Sequence, residues 1–313
     1  MSVFDGFKPF EDSRKISSVV RINQVVMLSD YLAERFTYRS REAWLNEIKA
    51  GRFLLNNERI SYDCTIENNT ELVYEFAAKD EPECDLNYRL LGADENFICV
   101  VKSGNLPTHP AGRYYKNTLW YLLQRDFGAC APVIRLDRET SGVLLFARNP
   151  QAARFFSQNP MQKKYQLIVH GEFPEYLDGA GFIMNDKQSL IRKKRRFSFT
   201  APTDGTTFED CRTIFRRLQF KNGFSLLEAQ LESGRTHQIR ATCCSLGFPL
   251  AGDKMYGIDE NFFLRYIDGR ITASDREKLI YDRQALHSYS LTFKNPSDGK
   301  IITFSSPMEL EII

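Results

Sequence analysis

The chain has 313 residues, with 42 Lys and Arg against 40 Asp and Glu, for a formal charge of +2. That length exceeds one average domain and points to a large domain with a smaller companion, long enough to bury a substantial core. No stretch approaches the ~18 apolar residues of a membrane span, and the opening MSVFDGFKPFEDSRK lacks the apolar run of a secretory leader. The expectation is a soluble cytoplasmic protein with no membrane partner. Seven cysteines, at 64, 84, 99, 130, 211, 243 and 244, show no spacing suited to zinc, and only four histidines accompany them. Reduced structural thiols and no metal site are expected. Cys243 and Cys244, as helix neighbours, point about 100° apart, which suits packing better than chemistry.

The near-neutral total conceals an asymmetry. Residues 1 to 85 hold 11 basic and 16 acidic side chains, and the remainder holds 31 and 24. In the basic part, RKKRR at 192 to 196, with Arg212, Arg216 and Arg217, is either a set of phosphate contacts or a solvated face.

In chain order, LSDYLAERF and SREAWLNEIKAG carry apolar residues at three- and four-residue spacing, which predicts two short helices, the second capped by Ser40 and stopped by Gly51. RFLLNNERI then turns at Asn56 and Asn57, and TELVYEF alternates as a strand. This small α+β unit, residues 1 to 85, resembles the RNA-binding module first described in a ribosomal small-subunit protein. The likeness implies that Arg35, Arg39, Arg41, Lys49 and Arg52 face phosphate.

KDEPE, residues 79 to 83, reads as a linker. Beyond it, FICVV, GVLLFA, YQLIVH, FSLLEAQL and LHSYSLTF are strand candidates. NTLWYLLQRDF, PQAARFFSQ, a segment opening at GRTHQIRATCC and one starting at Ser274, with Glu277 completing a capping box, are helix candidates. Without regular βαβ alternation, residues 86 to 313 are expected to form an α+β domain on a mixed, largely antiparallel sheet.

IRLDRETSGVLLFAR, 134 to 148, sets Asp137 among charges just before an apolar run. A carboxylate emerging from a core is either a local Asx-turn or a chemical group. Thr140, Ser141 and Gly142 follow, offering hydroxyls and a tight turn. Downstream, LESGRTHQIRATCCSLGFPLAGDKMYG places Arg235, His237 and Arg240 at the mouth of a helix, with Thr236 at its capping position. Ser141 and His237 lack the nucleophile elbow of a hydrolase.

KSGNLPTHPAGRYYKNTL, RLDRETSGVLLFAR, SGRTHQIR with LGFPLAGDKMYG, and LHSYSLTFKNP, in this order, resemble the motifs of the RluA-type pseudouridine synthases. The likeness covers nearly the whole chain past the linker. It implies a catalytic role for Asp137, for Tyr165 as the residue stacked on the base, and for Arg240 as the partner of Asp137. It implies substrate contact at Arg135, which fills the space left by an everted nucleotide, and at Ile239, and a structural role for His287. Thr140, Arg235 and His237 join the candidate substrate-binding set. The sequence departs from the family in having Ile134 where histidine is usual, and Val101, Lys102 and Ser103 where Asn-Lys-Pro is usual.

The implied reaction isomerises uridine in structured rRNA or tRNA and needs no cofactor. A buried carboxylate drifts toward its neutral form, so a nearby guanidinium is required to keep it charged. A uridine held in a stem must be everted, at a cost of a few kcal/mol that stacking offsets. The expected protein is a monomer that acts on RNA without an obligate protein partner. The rival expectations are an RNA chaperone or assembly factor that keeps the fold without catalysis, and a nucleosidase releasing free uracil.

Overall fold

The computed structural model describes residues 15–36, 39–75, 81–191, 193–257, 259–267 and 270–312. The opening segment, Lys79 and Asp80 of the expected linker, and Arg192 of the basic run lie outside these.

The first part of the chain contains β1 (Lys15–Val19), β2 (Val26–Met27), α1 (Leu28–Arg35), α2 (Arg41–Lys49), β3 (Phe53–Leu55), β4 (Glu58–Ile60), β5 (Thr65–Ile66) and β6 (Glu71–Glu75). Four strands make an antiparallel sheet in the order β1-β6-β3-β4. The Ser40 side chain accepts from Ala43 N–H and opens α2, while Gly51 turns out of it at φ +68°. Asn56 and Asn57, at φ +47° and +70°, form the two-residue turn between β3 and β4. Leu28, Leu32, Trp44, Ile48, Phe53 and Tyr74 bury a core of their own. At its edge the Glu47 carboxylate accepts from Arg39, Arg52 and the Tyr74 hydroxyl at 3.0, 3.0 and 2.7 Å, and Arg41 pairs with Asp30. Three of the five cations expected to face phosphate are therefore tied to carboxylates of the same unit.

The rest of the chain builds β7 (Tyr88–Ala93), β8 (Phe97–Lys102), α3 (Leu119–Phe127), β9 (Ala131–Pro132), β10 (Ser141–Ala147), α4 (Pro150–Gln158) and β11 (Gln162–His170). It continues with β12 (Tyr176–Asn185), β13 (Arg195–Ser198), β14 (Phe208–Lys221), β15 (Phe224–Leu231) and α5 (Gln238–Ser245). Last come α6 (Glu260–Ile267), α7 (Ala273–Leu279), β16 (Leu286–Lys294) and β17 (Ile301–Ser305). One sheet runs β13-β12-β14-β15-β11-β16-β10-β8-β7, with β17 on β16 and β9 on β10. Two antiparallel halves meet where β10 runs parallel to β16, Ser141 beside His287 and Gly142 beside Ser288. This is the expected mixed, largely antiparallel α+β sheet.

Side-chain alternation explains why β10 reads as an unbroken apolar run. Leu144 and Phe146 enter the core on one face, covered by α3 through Leu119, Leu122 and Leu123. Val143, Leu145 and Ala147 enter the opposite core, covered by α4 through Ala152, Ala153 and Phe156. Each fully buried Leu or Phe contributes about 1.5–3 kcal/mol, so β10 is stabilised from both faces.

Several expectations need correction. α7 is capped by Thr272 with Asp275, whose amide and carboxylate exchange bonds with Thr272 at 3.1 and 3.0 Å, and not by Ser274 with Glu277. Arg265 also holds Asp275, at 2.5 Å, which draws the earlier pair into the cap. Thr236 does not cap α5. His237 stands there in a left-handed conformation (φ +56°) without a side-chain cap bond, and the Gln238 amide fixes the entry by accepting from Arg235 N–H and donating to Thr213. The described part of the expected linker, from Glu81 onward, is bonded to the large domain. The long strand β14 carries too many charges to read as a buried strand, although Cys211, Thr213 and Phe215 alternate inward.

Candidate active site

Asp137 sits on the loop between β9 and β10, and its neighbours are held from both sides. Thr108 Oγ1 donates to the Leu136 carbonyl (2.8 Å) and accepts from the Leu136 N–H (3.1 Å). The Arg138 carbonyl accepts from Leu106 N–H (3.2 Å) and from Lys102 Nζ (3.0 Å). Behind the loop, Gly142 lies at φ +114°, and a Cβ there would meet the Ser288 carbonyl oxygen at 2.3 Å. Only glycine lets β10 approach β16 so closely, and this approach brings the Asp137 loop to the junction of the two half-sheets.

Across that junction, Arg240 on α5 donates from Nη1 to Asp137 Oδ2 at 2.6 Å. Its remaining edge is occupied by Asp253: Nε to Oδ2 at 2.7 Å and Nη2 to Oδ1 at 2.9 Å. Asp253 Oδ1 also accepts the N–H groups of Met255 and Tyr256, both at 2.9 Å. The Arg240 guanidinium lies 4.8 Å from the centre of the Tyr256 ring. Arg240 and Asp253 are buried side chains, whereas 32% of the Asp137 side chain is exposed. A single guanidinium thus bridges an inner and an outer carboxylate and presents the outer one to solvent.

Burial pushes the Asp137 carboxyl upward, but the charge and hydrogen bond of Arg240, with help from His237, win and hold it below the usual carboxylate range. Asp253 is lowered by Arg240 against the same burial penalty. Lys102, fully buried, is pushed down to about 7 by desolvation, with the Asp137 charge opposing. His237 is pushed down to about 4 by burial and by Arg240, so it is neutral at pH 7. Its Nε2 faces Asp137 Oδ1 at 3.6 Å and its Nδ1 lies 3.0 Å from the Tyr256 hydroxyl. A proton on Nε2, toward the carboxylate, leaves Nδ1 to accept from Tyr256.

Asp137, Arg240 and His237 therefore converge. Thr140 is buried beside them and accepts from Gln284 Nε2 at 2.6 Å, with its N–H donated to the Asp137 carbonyl. Tyr165 on β11 joins the apolar cluster that includes Leu136 and Ile239, and is 5% exposed. Burial pushes its hydroxyl up to about 12, with the Asp137 charge adding to the shift. Its ring is a floor near the carboxylate and not a free platform. Arg135 is exposed, and its charge joins burial in pushing His109 down to about 4. Arg235 turns away, with Nε donating to the Asp210 carbonyl and Nη1 pairing with Glu209. His287 donates from Nε2 to the Ser306 carbonyl and accepts from Ser141 at Nδ1, each 2.9 Å, a bracing role. Ile134 packs between the cores on the two faces of the sheet.

Sequence reasoning passed over Asp253, Tyr256 and Gln284, and gave Lys102 no role. Asp253 and Tyr256 lay within the quoted AGDKMYG stretch. The signal was the pair of glycines: a Cβ at Gly252 would meet the Arg283 carbonyl oxygen at 2.2 Å, and one at Gly257 the Asp253 carbonyl oxygen at 2.1 Å. The basic run borders the site, since Arg195 N–H donates to the Tyr256 hydroxyl and Lys194 Nζ lies 5.8 Å from that ring. Arg212 and Arg217 are instead paired with Asp178 and Glu172. Among the described residues no His, Cys, Asp and Glu cluster is placed to hold a metal, and no helix is long and apolar enough to cross a membrane.

Comparison with known proteins bears on this geometry. A family described as RNA pseudouridylate synthase matches residues 96–245, which include Asp137, Tyr165 and Arg240. RNA pseudouridine synthase 7 of Oryza sativa subsp. japonica is 29% identical over 248 residues, 77% of this chain and 62% of that protein. The mitochondrial tRNA pseudouridine(32) synthase of Saccharomyces cerevisiae is 28% identical, over 74% of this chain and 51% of its own length. The chain thus spans between half and two thirds of these two relatives. The solved structure of human RNA pseudouridylate synthase domain containing 1 shares the fold with TM-score 0.56 at 23% identity, covering 72% of this chain and 86% of that one. With the motifs in order, the carboxylate and guanidinium joined and the fold shared with the human structure, the chain is similar to the RNA pseudouridylate synthases over residues 96–245.

Proposed function

We propose that this protein is an RNA pseudouridine synthase in which Asp137 is the nucleophile. The supporting observation is the bridge from Asp137 through Arg240 to Asp253, which keeps the Asp137 carboxylate ionised and 32% exposed, with Asp137 and Arg240 both inside the matched segment. The reaction breaks the bond from ribose C1′ to uracil N1 and forms one from C1′ to C5. The C5 hydrogen leaves as a proton and N1 gains one, so no redox cofactor enters the balance. Arg240 occupies Oδ2, which makes Oδ1 the attacking oxygen. Tyr165 and Ile239 support the everted base from below, Arg135 fills the vacated stack, and the small α+β unit with the basic rim at 193 to 196 holds flanking phosphates.

A tRNA substrate is favoured over rRNA, because the yeast relative is named for a tRNA position. The N-terminal unit would then help hold a folded RNA. Incubation with total tRNA and rRNA, followed by mapping of modified uridines, tests both points. New pseudouridine formed by the wild type and absent with Asp137→Asn is expected. Full activity in Asp137→Asn rules the role out, and free uracil in the supernatant makes the protein a nucleosidase.

A further inference from the structure

The charged stretch between the two parts of the chain does more than connect them. Glu81 Oε2 accepts from the backbone N–H groups of Tyr115 (3.0 Å) and Asn117 (2.8 Å), and Oε1 accepts from that of Lys116 (3.0 Å). The Asn117 side-chain amide donates to the Pro82 carbonyl at 2.8 Å. A few residues on, the Asp85 carbonyl accepts from Ser103 Oγ at 2.6 Å and the Asp85 N–H donates to the Asn105 carbonyl at 3.1 Å. Successive amides aimed at one carboxylate form an anion nest, and charge-assisted bonds of this kind are roughly twice as strong as neutral ones. An ordinary connector crosses few contacts, whereas this one is strapped down.

The segment so held, 106 to 117, is the one that brackets Asp137. Thr108 grips both backbone groups of Leu136, Leu106 holds the Arg138 carbonyl, and the Tyr114 hydroxyl accepts from Arg138 Nη1 at 2.6 Å. Gly112 of the same segment lines an apolar cavity of about 60 Å³ with Trp44, Phe53 and Tyr74 of the N-terminal unit. Glu81 lies outside the matched family segment, which begins at residue 96.

We infer that Glu81 is a positioning residue: its carboxylate orders the 106 to 117 segment, which through Thr108 and Tyr114 sets the place of Asp137. The geometry of the catalytic loop then depends on a side chain supplied by the connector. This rests on the reading of Asp137 as the nucleophile.

The test uses the full chain with Glu81→Gln and Glu81→Ala. Amide hydrogen exchange at 115 to 117 reads the strap itself, and kcat and KM on the modified RNA read its effect. Faster exchange at those amides and a fall in kcat of about ten- to hundredfold, with KM within about twofold, are expected. Sodium formate should restore part of kcat and of the exchange protection in Glu81→Ala, which sodium chloride at equal ionic strength should not. Unchanged exchange or unchanged kcat overturns the inference. So does a lower KM in Glu81→Ala at constant kcat, which would make the nest a phosphate seat that Glu81 blocks. A wild type that modifies no uridine defeats the functional reading instead, and the exchange measurement still decides whether Glu81 orders the segment.

Discussion

Arg240 gives two of its donors to Asp253, at 2.7 and 2.9 Å, and only one to Asp137, at 2.6 Å. A fork-on-fork pair with Asp137 would cover both of its oxygens. Anchoring the fork on the inner carboxylate leaves the outer one ionised, with Oδ1 outside the guanidinium's grip and faced by His237 Nε2 at 3.6 Å.

Asp137→Asn should therefore abolish uridine conversion, by about a thousandfold or more, while the fold survives. Mass spectrometry of digested RNA measures the first and a thermal melt the second. Conversion within tenfold of wild type would remove Asp137 from the chemistry.

Arg240→Ala strands two carboxylates, one of them fully buried, and should cost about 3–5 kcal/mol in a urea titration. Arg240→Lys keeps the charge but cannot fork to Asp253 while reaching Asp137, so it should fold better than the alanine variant and still lose most activity. Equal stability of the wild type and Arg240→Ala would show the bridge to be idle.

Lys102 has a folded pKa near 7, below its ordinary 10.5. Between these values the unfolded chain binds the additional proton, so this residue makes stability rise with pH, and its burial penalty is at full size below 7. From about pH 7 to pH 9 the wild type should gain roughly 1–3 kcal/mol more than Lys102→Met, as read from paired urea titrations. Parallel curves for the two proteins contradict this.

His237 is pushed to about 4, and Asp137 is held below the usual carboxylate range. Both are in their working forms well below neutrality. Conversion at saturating RNA should stay level within about twofold between pH 5.5 and 6.5, where an ordinary histidine would titrate. A steep fall there, removed by His237→Gln, would mean that the imidazole works as a cation or a base.

Gly142→Ala places a Cβ 2.3 Å from the Ser288 carbonyl oxygen at a left-handed backbone position. It should cost about 1–3 kcal/mol or more and reduce kcat, because β10 must part from β16 beneath Asp137. Calorimetry and steady-state kinetics check the two effects. A stable, fully active variant would show that the close approach is dispensable.

Local chemistry was legible in the sequence where it decides the structure. Apolar alternation and β-branched runs placed β8, β10, β11, β15 and β16, the asparagine pair placed the first hairpin, and Ser40 placed a helix start. These signals act over a few residues, so one chain carries them whole. The motif order pointed to Asp137 and Arg240 without saying how they meet. Their bond spans 103 positions, and Arg240's sharing with Asp253, the burial of Tyr165, the turning away of Arg235 and the strap of Glu81 exist only once the half-sheets close. Which of many charged side chains are desolvated together is set by packing across the β10 and β16 junction, and no spacing along the chain encodes it.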